Sequence, residues 1–140
     1  MLIFGQSANE IRTLPIKNVG SQKVPPFGIV QVAGKEYSDA AGRWVIQVRR
    51  PTEDNAKLFL INGGTDLEVD QESEGSWDWP QWVLYDSTDG SPGLGEVWGV
   101  GQDTFKAKKG KRGLIIVPAD SGDELQVDEL TFAMLEYCRP

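Results

Sequence analysis

The apolar residues of this chain come in short blocks, and Gly, Pro, Asn or Asp follows closely on most of them. The blocks are Leu14–Val19, Phe27–Val32, Arg43–Arg49, Leu58–Ile61, Trp82–Tyr85, Glu96–Val100, Leu114–Val117 and Leu130–Cys138. Breaks this closely spaced leave no room for long helices. Blocks of this length, rich in β-branched and aromatic residues, read as strands. Several alternate with period two. Trp44, Ile46 and Val48 share one face, opposite Val45, Gln47 and Arg49; Trp82 and Leu84 oppose Val83 and Tyr85. The last block is the ambiguous one. Residues 130, 133, 134 and 137 fit a helix and 130, 132 and 134 fit a strand, with Thr131 and Phe132 favouring the strand.

The expectation is an all-β fold, a small single-domain β-barrel or β-sandwich of at least six short antiparallel strands. Residues 1–12 are expected to form an N-terminal arm and 128–140 a C-terminal strand or tail. The alternation places Trp44, Ile46, Val48, Leu58, Leu60, Leu84, Val97, Ile115 and Val117 in the core. A length of 140 residues suits one domain with a real core and no need of disulfide or metal staples.

Composition removes several chemistries. There is no histidine, so Ser-His-Asp and Cys-His catalysis and the commonest metal ligand are gone. The one cysteine, Cys138, forms no internal disulfide and reads as a small buried hydrophobe. The start, Met1-Leu2-Ile3-Phe4-Gly5, lacks the basic segment and long apolar stretch of a signal peptide, and no apolar run approaches a membrane span. A net charge of −7 argues against a dedicated nucleic-acid binder. No cofactor, no metal and no catalytic residue is expected.

Charge is segregated. Between Lys57 and Lys106 lie ten acidic residues and no basic one, and then Lys106, Lys108, Lys109, Lys111 and Arg112 follow within seven positions. Such blocks make a two-signed surface suited to contact with copies of itself or with a charged partner. Asp66, Glu68, Asp70, Glu72 and Glu74 occupy every second position, as on one face of a strand. An EF-hand starting at Asp66 would need Gly at its sixth position and Glu at its twelfth, where this chain has Gln71 and Trp77. The ladder reads as a solvated acidic hairpin edge, with an acidic docking surface as the functional alternative.

Trp77, Trp79 and Trp82 fall within six residues. They read as a core or subunit contact, or as a platform for sugar rings. Asp89-Gly90-Ser91-Pro92-Gly93-Leu94-Gly95 has no Gly-Lys-Ser/Thr and no following helix, so it is a turn and not a phosphate loop. Lys106–Gly113 reads as a basic hairpin tip, with Gly110 and Gly113 at turn positions. The candidate partner-contact residues are therefore Trp77, Trp79, Trp82, Lys108, Lys109, Lys111, Arg112, Asp66, Glu68 and Asp70.

Three segments taken together resemble a family. They are Leu14-Pro15-Ile16-Lys17-Asn18-Val19-Gly20-Ser21 through Val24-Pro25-Pro26-Phe27-Gly28-Ile29-Val30, then Leu58-Phe59-Leu60-Ile61-Asn62-Gly63, then Gly93-Leu94-Gly95-Glu96-Val97-Trp98-Gly99 through Gly113-Leu114-Ile115-Ile116-Val117. They are similar to segments of small β-rich virion structural proteins of tailed phages and prophage-like regions, of the capsid decoration or cement type. Val100 and Leu114 depart from the proline and the aromatic of that pattern. The resemblance implies a non-enzymatic virion protein, assembled in the host cytoplasm, that contacts itself and the major capsid protein or other virion proteins. It implies no direct nucleic-acid contact and no membrane. A tail fibre or baseplate adaptor is the nearest alternative, and a carbohydrate-binding module using the tryptophan cluster is another.

Overall fold

The computed structural model describes residues 13–76, 81–117 and 129–136. They form ten strands: β1 (Thr13–Asn18), β2 (Ile29–Ser38), β3 (Arg43–Arg49), β4 (Phe59–Asn62), β5 (Glu72–Ser76), β6 (Gln81–Leu84), β7 (Val97–Gly99), β8 (Lys108–Lys109), β9 (Gly113–Ile116) and β10 (Leu130–Leu135). One 3-10 turn, Ser87–Asp89, is capped by Asp86, whose carboxylate accepts from Thr88 N. The all-β expectation holds, and the ambiguous last block is a strand over Leu130–Leu135. Among the described residues no helix is long and apolar enough to cross a membrane.

The first five strands close into a barrel in the order β1-β3-β2-β4-β5. The β1–β3 pair is parallel, with Ile16 opposite Ile46; the others are antiparallel. So small a barrel needs a sharp bend, and β2 supplies it. Val32 pairs with Val48 and Gly34 with Gln47, which leaves Ala33 as an extra residue. The remaining strands form a second sheet in the order β6-β10-β9-β7-β8. Its two outer strands meet through a parallel bridge between Tyr85 and Ala107. Ala107 N donates to Leu84 O at 2.8 Å, and Asp86 N donates to Ala107 O at 3.0 Å. Backbone bonds also stitch sheet to barrel, from Leu84 N to Phe27 O and from Ile29 N to Phe105 O. These bonds occupy backbone groups that would otherwise invite another strand.

Two cores follow. Ile16, Val24, Val30, Val48, Leu60 and Leu67 fill the barrel. Ile29 and Ile61, on the barrel's outer face, pack with Val83, Trp98, Val100, Leu114 and Ile116 of the second sheet. The start of β2 and most of β4 are thus buried on both faces, and adjacent pairs such as Ile29-Val30 and Leu60-Ile61 are both inside.

That double burial corrects the expected core. Val48 and Leu60 are buried as expected. Trp44 is 57% exposed and Leu58 69% exposed. Ile46, Leu84, Val97, Ile115 and Val117 are only half-buried, while Val45, Val83, Trp98, Leu114 and Ile116 take the interior. Alternation finds a strand's two faces but does not say which one a neighbouring layer will cover.

Candidate interaction surface

The basic block is not the expected hairpin tip: β8 leads through Gly110 into β9, but the two strands flank β7 and each pairs with it, not with the other. Gly110 has φ 85° with open space around it, the backbone a tight turn requires. The cations do not stand free. Lys106 Nζ lies 2.7 Å from Glu129 Oε1. Lys108 Nζ sits between Asp86, at 2.8 Å, and Asp89, at 3.2 Å. Lys109 reaches Glu96 at 3.7 Å and Lys111 reaches Asp54 at 3.2 Å. Arg112 makes a two-point contact with Glu136, a carboxylate only 7% exposed, which also accepts from Gly113 N at 2.8 Å.

These contacts show in the proton affinities. The hydrogen bond from Lys108, then those from Thr88, hold the Asp86 carboxyl far below its usual range. Bonds from Lys106 and Ser87 bring Glu129 down to about 2. The hydrogen bond to Asp86 raises Lys108. The basic block is therefore a fastener that closes the second sheet, with acids drawn from the middle of the chain, from the barrel and from the C-terminal strand. Sequence spacing showed two opposite blocks; only the fold pairs Lys108, Lys109, Lys111 and Arg112 within one chain.

The acidic ladder is not one strand face. Residues 67–71 form a bridge and turn, and only Glu72 and Glu74 lie on β5, which is paired on both sides and is no edge. Asp66 lies 3.5 Å from Lys23, and Glu74 lies 3.2 Å from Arg43 and accepts from Thr13. Glu68 and Asp70 have no ion pair among the described residues and flank Val69 on an exposed turn. Trp82 is half-buried and packs on Phe132, ring centroids 4.6 Å apart, so it is no open platform. Trp77, Trp79 and Cys138, like the expected arm over residues 1–12, lie outside the described residues.

The open aromatic pair is one that the sequence pattern assigned partly to the core. Tyr37 and Trp44 face each other across β2 and β3, edge-on at 5.6 Å, and are 50% and 57% exposed. Lys35 Nζ lies 5.1 Å from the Trp44 ring. After the Ala33 bulge these side chains continue the line of Ile46 and Val48, past the end of the barrel core.

The polar residues of the three quoted segments hold the fold. The buried Asn18 side chain donates to Gln22 O and Leu67 O and accepts from Gly20 N. Asn62 donates to Pro25 O and Thr65 O. Glu96 accepts from Gly93 N and from the Trp98 indole. Among the described residues no group of three or more Cys, Asp or Glu is placed to hold a metal. Compared with protein-family models, curated proteins and solved structures, the chain matches none.

Proposed function

We propose that this chain is a non-enzymatic structural subunit of a phage virion, a capsid decoration protein that binds the head lattice and stabilises it through contacts between subunits. The observation that supports this most is the way large apolar side chains are presented to solvent on braced backbone. Leu94, 78% exposed, tips a turn in which Glu96 N donates to Gly93 O, Gly93 N donates to the Glu96 carboxylate, and Gly95 N donates to Ile116 O. Val69 tips a turn closed by Gln71 N to Glu68 O, with Asp70 N bonded to Asn18 O. Leu58 is 69% exposed beside the bond from Val32 N to Leu58 O. Apolar anchors held rigid before contact lose little entropy on docking, which is what a repeated subunit contact needs. The test is addition of purified protein to heads lacking it, followed by co-sedimentation and imaging. Saturable binding to the head surface, weakened at least tenfold by Leu94→Asp or Val69→Glu, is the expected result. Density on the tail instead would assign the adaptor role, and no binding to any particle would overturn the reading.

A second reading, sugar recognition, has one observation in its favour, the exposed Tyr37–Trp44 pair with Lys35, Arg43 and Glu74 nearby in the sheet. Quenching of tryptophan fluorescence by a glycan, lost in Trp44→Ala, would support it.

A further inference from the structure

We infer that two surfaces of this chain fit each other, so that copies associate head to tail. The inference rests on the subunit-contact reading above and names the contact. One surface is the turn Glu68–Gln71. Its tip is Val69, 43% exposed, flanked by two carboxylates that have no ion pair among the described residues. The turn is rigid. Gln71 N donates to Glu68 O, Glu68 N donates to Gln71 Oε1, and both Asp70 N and Gln71 O are tied to the buried Asn18 backbone.

The other surface is a cavity of about 560 Å³ at the seam between barrel and second sheet, lined by Asn55, Ala56, Lys57, Phe59, Arg112 and Gly113. Its lining is mostly apolar, with the Phe59 ring held against Gly113 and Ala56 beside it. Of the two cations in its lining, Lys57 carries the charge and Arg112 is balanced by Glu136. Lys57 is exposed and has no ion pair among the described residues. An apolar seat with the Lys57 ammonium beside it suits an apolar tip with acidic flanks. A neighbouring concavity of about 400 Å³, across the Asn55–Leu58 rib, shares Lys57 with it but also holds Glu53 and Asp54, a lining less favourable to an acidic turn.

Turn and cavity are different patches, so the contact is not reciprocal. It generates rings or open chains and leaves each copy able to give and receive. Val69 and the apolar lining supply affinity, and the charges set orientation and salt dependence.

The experiment uses the full chain in sedimentation velocity over a concentration series, at low and at physiological salt. Wild type should associate with rising concentration, more weakly in salt. Lys57→Glu spoils the cavity and Val69→Glu spoils the turn, and each alone should weaken association at least tenfold while keeping the wild-type melting profile. Mixed in equal amounts, they should form a one-to-one dimer and nothing larger, because one intact turn meets one intact cavity. If Val69→Glu fails to fold, Val69→Ser replaces it. A wild type that stays monomeric, variants that associate like wild type, or a mixture that stays monomeric would each overturn the inference. A monomer that still binds heads would leave the decoration reading standing; one that binds no particle would take both down.

Discussion

The indole Nε1 of Trp98 donates to Glu96 Oε1 at 2.9 Å, joining the largest fully buried side chain among the described residues to a carboxylate at the surface. Tyr85 meets Trp98 edge-on at 5.8 Å. The same carboxylate accepts from Gly93 N and pairs with Lys109, so one side chain ties core, turn and basic segment together. Its hydrogen bond from Trp98, then that from Gly93, lowers its pKa. Glu96→Ala should leave the indole N–H without its acceptor, at a cost of about 1–3 kcal/mol. Glu96→Gln, which keeps an acceptor oxygen, should cost less. Urea unfolding of the two variants checks the order.

Gly99 faces Gly113 across β7 and β9, and a Cβ at Gly99 would collide with the Arg112 carbonyl. Gly99→Ala should therefore cost more than the roughly 1–3 kcal/mol of ordinary overpacking and yield little folded protein. Gly110→Ala meets only the left-handed backbone, in open space, and should cost about 1–2 kcal/mol. Thermal melts of the pair separate steric closure from turn geometry.

Acid should loosen the seam of the second sheet. Glu129 has its carboxyl lowered from 4.5 to about 2 by Lys106 and Ser87, and Asp86 is lowered further by Lys108 and Thr88. A lowered folded pKa means stability that is complete above the unfolded value and lost as pH falls. The loss from Glu129 should run from about pH 5 down to about pH 2. Urea midpoints at pH 7, 5 and 3 should fall most between the last two, and Glu129→Gln should flatten that drop.

Lys108 is a structural cation before it is a contact. Its ammonium lies between Asp86 and Asp89, and Lys108→Ala should cost about 1–3 kcal/mol by removing charge-assisted hydrogen bonds. Lys57→Glu, at an exposed site, should change stability by less than about 0.5 kcal/mol. Denaturation of both shows which basic residues can be reversed without disturbing the fold.

Trp44, expected in the core, and Trp98, which the expected core omitted, should behave oppositely. Trp44→Ala removes a ring 57% exposed and should cost about 1 kcal/mol. Trp98→Ala empties a fully buried site and should cost about 3–5 kcal/mol. Fluorescence should assign the red-shifted emission to Trp44.

Sequence by itself determined where strands form, because strand propensity and turn residues act locally. Arg43–Arg49 appears in the structure with the bounds its alternation predicts, and the Gly110 turn falls where the glycine stands. What lies on each side of a strand is set by residues far away in the chain, and only the tertiary structure decided it. Packing the second sheet on the barrel buried both Ile29 and Val30, turned Leu58 outward and put Trp98 in the core. The bulge at Ala33 shifted the register of β2 against β3 and carried Tyr37 and Trp44 past the barrel core. The charge blocks were visible as composition, but their partners lie up to 57 residues away, at Asp54 for Lys111. Pairing over such separations depends on chain crossings that no local pattern records. The same is true of the cavity between Phe59 and Gly113, whose two walls belong to different sheets.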